Sequence, residues 1–170
     1  YFTLSQAISF QHYNLKNYNT GLFTFGNGYS NNLAYTIGLS RNNTFNDPIY
    51  PEGGSNFSVT AKLSLPYSLF NNVDYKALKE ERDGLDPSDV DDFARLGEID
   101  QERYNWLEFY KIKFKGDWYT KITGKLIVKS GIEFGYLGAY NNARGIIPFE
   151  RFFLGGDGLG NFALDGREVI

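Results

Sequence analysis

The chain has 170 residues, 17 basic and 20 acidic, with a formal net charge of -3. That length suits one domain with one sizeable core, and the near-neutral balance supplies no global basic field for nucleic acid. With no cysteine and one histidine, His12, disulfide frameworks, thiolate metal sites and cysteine nucleophiles are excluded, and a histidine metal centre or a Ser-His triad has little to draw on. Aromatic residues make up 18% (15 Phe, 13 Tyr, 2 Trp), and there are 19 Gly. Aromatic side chains favour pleated surfaces, and Gly and Asn favour turns, so the composition points to an all-β chain. No apolar run reaches the ~18 residues of a membrane-spanning helix. No signal peptide is expected within these residues, and Met is absent even at position 1. The chain is therefore expected to start after a processing site or to belong to something longer.

In chain order, Phe2, Leu4, Ile8 and Phe10 alternate with Thr3, Ser5, Ala7 and Ser9. Leu33, Tyr35, Ile37 and Leu39 alternate with Ala34, Thr36, Gly38 and Ser40. The period is clearest in Phe57, Val59, Ala61, Leu63 and Leu65, interleaved with Ser58, Thr60, Lys62 and Ser64. Tyr110, Ile112, Phe114 and Trp118 follow, against Lys111, Lys113, Lys115 and Asp117. Last come Leu126, Val128, Ile132, Phe134 and Tyr136, against Lys129 and Glu133. Period two places all the apolar side chains of a strand on one face. Five long strands are predicted, over about 1-12, 32-47, 55-67, 104-119 and 124-140. Several exceed the ~9–11 residues with which a tilted strand crosses hydrocarbon.

Between the third and fourth strands, residues 74-103 hold 11 acidic and 5 basic side chains, a net charge of -6. This acidic insertion reads as a solvated extracellular loop. A helical turn or two is expected over Tyr75 to Asp83. A second helix start is expected at Asp86-Pro87-Ser88-Asp89, with Pro87 in the first turn. Pro51-Glu52-Gly53-Gly54 and Ile122-Thr123-Gly124-Lys125 read as short turns, whereas 13-31, 68-103 and 141 onward are long connections. Alternating short and long connections characterise outer-membrane barrels, although a soluble β-sandwich also accommodates one-sided strands. Five strands cannot close a transmembrane barrel, so a membrane reading requires a segment of a larger one.

Motifs for chemistry are weak. Gly155-Gly156-Asp157-Gly158-Leu159-Gly160 lacks the Gly-Lys-Ser/Thr ending of a phosphate loop. Asp89-Val90-Asp91-Asp92 lacks the glycine and the distal Glu of a calcium loop. Glu150, Arg151 and Asp157 have no nucleophile beside them and read as ion-pairing groups. No catalytic residue, metal site or cofactor is expected. Arg151 is a candidate partner for Glu133, taken as facing the lumen.

The segment Pro148-Phe149-Glu150-Arg151-Phe152-Phe153-Leu154-Gly155-Gly156 crowds apolar side chains where an exposed loop should run. Folded back into a lumen, its aromatics would escape water and its glycines would permit tight turns. Here the chain resembles the BamA family of outer-membrane assembly factors, and the continuation Leu159-Gly160-Asn161-Phe162-Ala163-Leu164-Asp165-Gly166-Arg167-Glu168 resembles the variant of Bacteroidetes-type members. Pro148, Phe149, Phe153, Gly155 and Gly156 match the element that opens that family's lumen-entering sixth extracellular loop. Tyr50-Pro51-Glu52-Gly53-Gly54-Ser55 resembles its periplasmic turn, carried by Pro51, Gly53 and Gly54. The likeness covers most of residues 31-160. The family's Arg-Gly-aromatic loop tip is not in this sequence, and Arg144-Gly145 is not assigned to it.

The resemblance implies a segment of a sixteen-stranded antiparallel transmembrane β-barrel in the outer membrane of a Gram-negative bacterium. Residues 1-140 would be middle strands of the wall and 141-170 the start of the lumen loop, held by Pro148, Phe149, Arg151, Phe153, Gly155 and Gly156. The implied activity is folding and inserting other β-barrel proteins, without enzymatic chemistry. Nascent outer-membrane proteins, assembly-complex lipoproteins and other accessory subunits, and outer-membrane lipid are the implied partners, with no nucleic acid. A sibling barrel of the TamA or two-partner-secretion type is the alternative, and a passive porin or transporter a further one.

Overall fold

The computed structural model describes residues 1–17, 27–45, 50–147, 150–153 and 168–169. Five strands form one antiparallel sheet in sequence order: β1 (Phe2–Leu15), β2 (Gly28–Asn42), β3 (Gly54–Ser64), β4 (Tyr110–Thr123) and β5 (Leu126–Gly138). Two helices, α1 (Tyr75–Asp83) and α2 (Val90–Tyr104), lie between β3 and β4. Phe152–Phe153 pairs in parallel with Glu168–Val169 as a two-residue ladder.

Register decides which side chains share a face. Phe10 lies opposite Leu33, Tyr35 opposite Leu63, Val59 opposite Phe114, and Phe114 opposite Phe134. The apolar positions of all five strands therefore merge into one continuous surface. It is not covered: Ile8 is 78% exposed and Phe134 57%. An uncovered apolar face of this breadth is what a sheet bordering acyl chains presents, with backbone groups paired and side chains oily. On the other face Lys62 opposes Lys111, and Lys115 opposes Glu133. No helix among the described residues is long and apolar enough to cross a membrane.

The connections differ between the two ends of the sheet. At one end, the turn end, Gly124-Lys125 joins β4 to β5, with Gly124 at φ +50. There Gly54, at φ +96, opens β3, where a Cβ would sit 2.0 Å from the carbonyl oxygen of Asn43. Only glycine tolerates that approach. The opposite, loop end carries both helices and the segment after β5.

Several boundaries differ from the sequence pattern. β2 starts at Gly28 because the polar residues Ser30 and Asn32 face inward, where both are fully buried. The fourth strand begins at Tyr110, not 104, because α2 runs on to Tyr104 and residues 105–109 lead into the strand. The second helix is capped by Asp89, whose carboxylate accepts from the backbone N–H groups of Asp91 and Asp92, so Pro87 lies in the preceding turn. Asp74 caps α1 in the same way. Nor is residues 74-103 a solvated loop throughout: Leu96, Ile99, Asp100, Arg103 and Tyr104 on α2 are buried. Their i, i+3 and i+4 spacing gives the helix one inward face. Leu15, Tyr104, Leu107, Phe109 and Ile147 form the core cluster, at the loop end of the sheet.

Candidate functional site

The polar face carries a ladder of charges that ends in a buried cluster. β4 presents Lys111, Lys113 and Lys115 at every second position, all on one side. Glu133 of β5 lies 3.1 Å from Lys113 and 3.4 Å from Lys115. Its counter-charges are thus supplied by the neighbouring strand. Arg151 is exposed and makes no pair with Glu133. Arg151 was the expected partner of Glu133, but cross-strand register sets Glu133 against Lys113 and Lys115 instead.

Among the described residues of this segment, the neighbouring Glu150 reaches inward and is 1% exposed. Its carboxylate lies 2.5 Å from Lys62 Nζ on β3 and 3.4 Å from Lys111 Nζ on β4. Asn32 Nδ2 on β2 approaches the same carboxylate at 3.5 Å and also donates to Gln11 on β1 at 3.0 Å. Lys111 further lies over the Phe152 ring, 4.5 Å from its centroid. One loop carboxylate thereby ties the segment after β5 to three wall strands. It also separates two lysines that register places directly opposite each other.

A second buried assembly fixes the approach to that segment. Arg144 is 2% exposed. Its guanidinium donates to Glu108 at 2.9 Å, to the Arg103 carbonyl at 2.5 Å, and to the Trp106 carbonyl. Arg103 returns the contact, donating to the carbonyls of Ala143 at 3.2 Å and Arg144 at 2.6 Å. Each arginine thus holds the other's backbone. Asp100 accepts from Arg82 at 2.9 Å and from Arg103 at 3.2 Å, which joins α1 to α2. The Asp100 carboxylate pushes the Arg82 guanidinium pKa up, and burial pushes the Tyr104 phenol up.

Of the residues singled out from sequence, Pro51, Gly53 and Gly54 lie at the turn end, where Phe45 bridges Gly53. Pro148, Phe149, Gly155 and Gly156, with the side chain of Phe153, lie outside the described residues. Glu150, Arg144 and Glu108 were not singled out as site residues. Glu150 reads from sequence only as an ion-pairing group, Glu108 stands alone between Leu107 and Phe109, and Arg144, among Asn141, Asn142 and Gly145, has no distinguishing neighbours.

Among the described residues no group of acidic or histidine side chains could hold a metal ion. What the arrangement offers is mechanical: an oily wall, a charged inner face, and a segment strapped onto that face by ion pairs. These features define a transmembrane β-barrel wall. The family model of the Omp85 superfamily domain matches residues 1–160, and the chain belongs to that superfamily. No curated protein and no solved structure matches it. Omp85 barrels sit in the bacterial outer membrane, where they carry out outer-membrane protein assembly or secretion and are not enzymes.

Proposed function

We propose that this chain is a wall segment of a BamA-type barrel, the central component that folds and inserts β-barrel proteins into the outer membrane. The loop end then faces the exterior, and the segment after β5 is the start of the lumen loop. The anchoring of Glu150 on Lys62 and Lys111 carries the reading, because it turns a connection with apolar side chains back onto the charged inner face. An incoming strand pairs with an exposed sheet edge, so its backbone groups stay satisfied as it enters lipid. The part played by this region is rigidity: the wall and its strapped loop hold the barrel's shape while an edge elsewhere opens. Nascent outer-membrane proteins are the clients. Assembly lipoproteins and other accessory subunits, with outer-membrane lipid, are the remaining partners.

Depletion of the full-length protein in its host tests this. A general loss of folded, heat-modifiable outer-membrane proteins is the expected result. Loss of one secreted exoprotein alone would instead assign a two-partner-secretion barrel, and loss of a narrow set of autotransporter-like clients a TamA-type barrel. Unchanged assembly with a lost solute permeability would leave a passive porin.

A further inference from the structure

The apolar stripe of β3 continues past the end of the strand. Leu65 follows Leu63 in phase and is half exposed. After Pro66 the chain makes a 3-10 turn, Tyr67–Leu69, and there Leu69 is 74% and Phe70 76% exposed. Two large apolar side chains on a charged, water-facing surface would be unfavourable.

The turn is fixed. Glu108, 2% exposed and held by Arg144, accepts from the Ser68 backbone N–H at 2.7 Å and the Ser68 hydroxyl at 2.8 Å. Beside it the Tyr67 ring packs on Trp106, with centroids 4.8 Å apart, and Trp106 lies 6.5 Å from Phe10. Phe10 belongs to the oily face of β1, and Trp106 bridges Asn31 at the end of β2. An aromatic row thus runs from the oily surface across three strand ends to the turn.

Height follows from length. The 11 residues of β3 already match the ~9–11 that a tilted strand needs to cross hydrocarbon. The row and the turn therefore sit at the headgroup boundary, where Trp and Tyr collect. We propose that Tyr67–Phe70 is an interfacial lipid anchor, with Leu69 and Phe70 entering the headgroup–acyl boundary beside the barrel wall. Lipid is the occupant because the turn is continuous with a surface that already borders lipid. The proposal rests on the Omp85 barrel fold and holds for an assembly or a secretion barrel alike.

The test uses the full-length barrel in phospholipid nanodiscs, without other proteins. A bimane fluorophore is placed at Leu69→Cys or Phe70→Cys in a cysteine-free background, and heat-modifiable mobility checks folding. Phe134→Cys reports mid-wall lipid, and Glu80→Cys, on an exposed face of α1, reports water. The labels at 69 and 70 should be quenched by lipid carrying a nitroxide near the headgroup. They should also lose most of the iodide quenching seen at 80. The label at 134 should respond instead to a nitroxide near the chain end. Iodide quenching at 69 and 70 equal to that at 80, with no lipid quenching, would overturn the proposal. So would shielding from both quenchers, which would mean that protein covers the turn.

Discussion

Glu150→Gln removes the one described carboxylate that lies between Lys62 and Lys111. Breaking a buried ion pair from one side costs about 3–5 kcal/mol, because the other charge stays in a poorly solvated place. The Lys62 side chain is 22% exposed and retains some water, so a loss near the lower bound, about 3 kcal/mol, is expected. The like-charge opposition of the two lysines across β3 and β4 acts in the same direction. The assay is urea unfolding of the full-length barrel in detergent, with tryptic cleavage at the adjacent, exposed Arg151 as the local reading. The variant should unfold at lower urea and be cut faster at Arg151. Lys62→Gln should cost less, since Lys111 still faces the carboxylate. The double variant Lys62→Gln/Glu150→Gln should cost less than the sum of the singles. Glu133→Gln is the control: it should not alter cleavage at Arg151, because its lysine partners lie on the neighbouring strand. Equal cleavage and equal midpoints in Glu150→Gln and the parent would refute the strap.

Arg144→Lys should fail to replace arginine, because one ammonium cannot serve Glu108 and two backbone carbonyls together; about 2–3 kcal/mol should be lost, read as faster amide exchange over 103–109 and 141–147. Gly54→Ala, at φ +96 and facing the Asn43 carbonyl oxygen, should cost on the order of 3 kcal/mol or prevent barrel folding, seen as loss of heat-modifiable mobility. By contrast Gly124→Asn, at φ +50 with open space around it, should stay within about 1 kcal/mol of the parent. Burial raises the folded pKa of the Tyr104 phenol above its ordinary 10.0. Its contribution is therefore whole below pH 10 and lost as pH rises toward the folded value. Burial raises the Tyr67 and Tyr140 phenols as well, so ultraviolet absorbance should show a late-titrating class that loses one phenol in Tyr104→Phe, and an unchanged number in that variant would sink the assignment.

The strands were legible because period two is a local property. Val59 and Thr60 fall on opposite faces whatever the rest of the chain does. The helix starts were nearly as legible, since Asp74 and Asp89 cap through atoms two and three residues away. The inward side of α2 was obscured by its charge. Asp100 and Arg103 look like solvent residues until Arg82 and the Ala143 and Arg144 carbonyls are brought to them. The strand start predicted at 104 takes in Trp106 and Leu107, ahead of the strand itself. They instead belong to a lead-in held by Arg144.

The sequence by itself determined an oily face and a charged face on five long strands, because side-chain alternation needs no knowledge of distant residues. It also determined the unequal connections, through glycine and proline at one end and charge at the other. Only the tertiary structure decided that Glu150, and not Arg151, turns inward. Lys62 is 88 residues away along the chain and Asn32 is 118. The inner wall is lined with lysines, so the side chain that can be buried against it is the anion, and that choice exists only once the strands stand side by side.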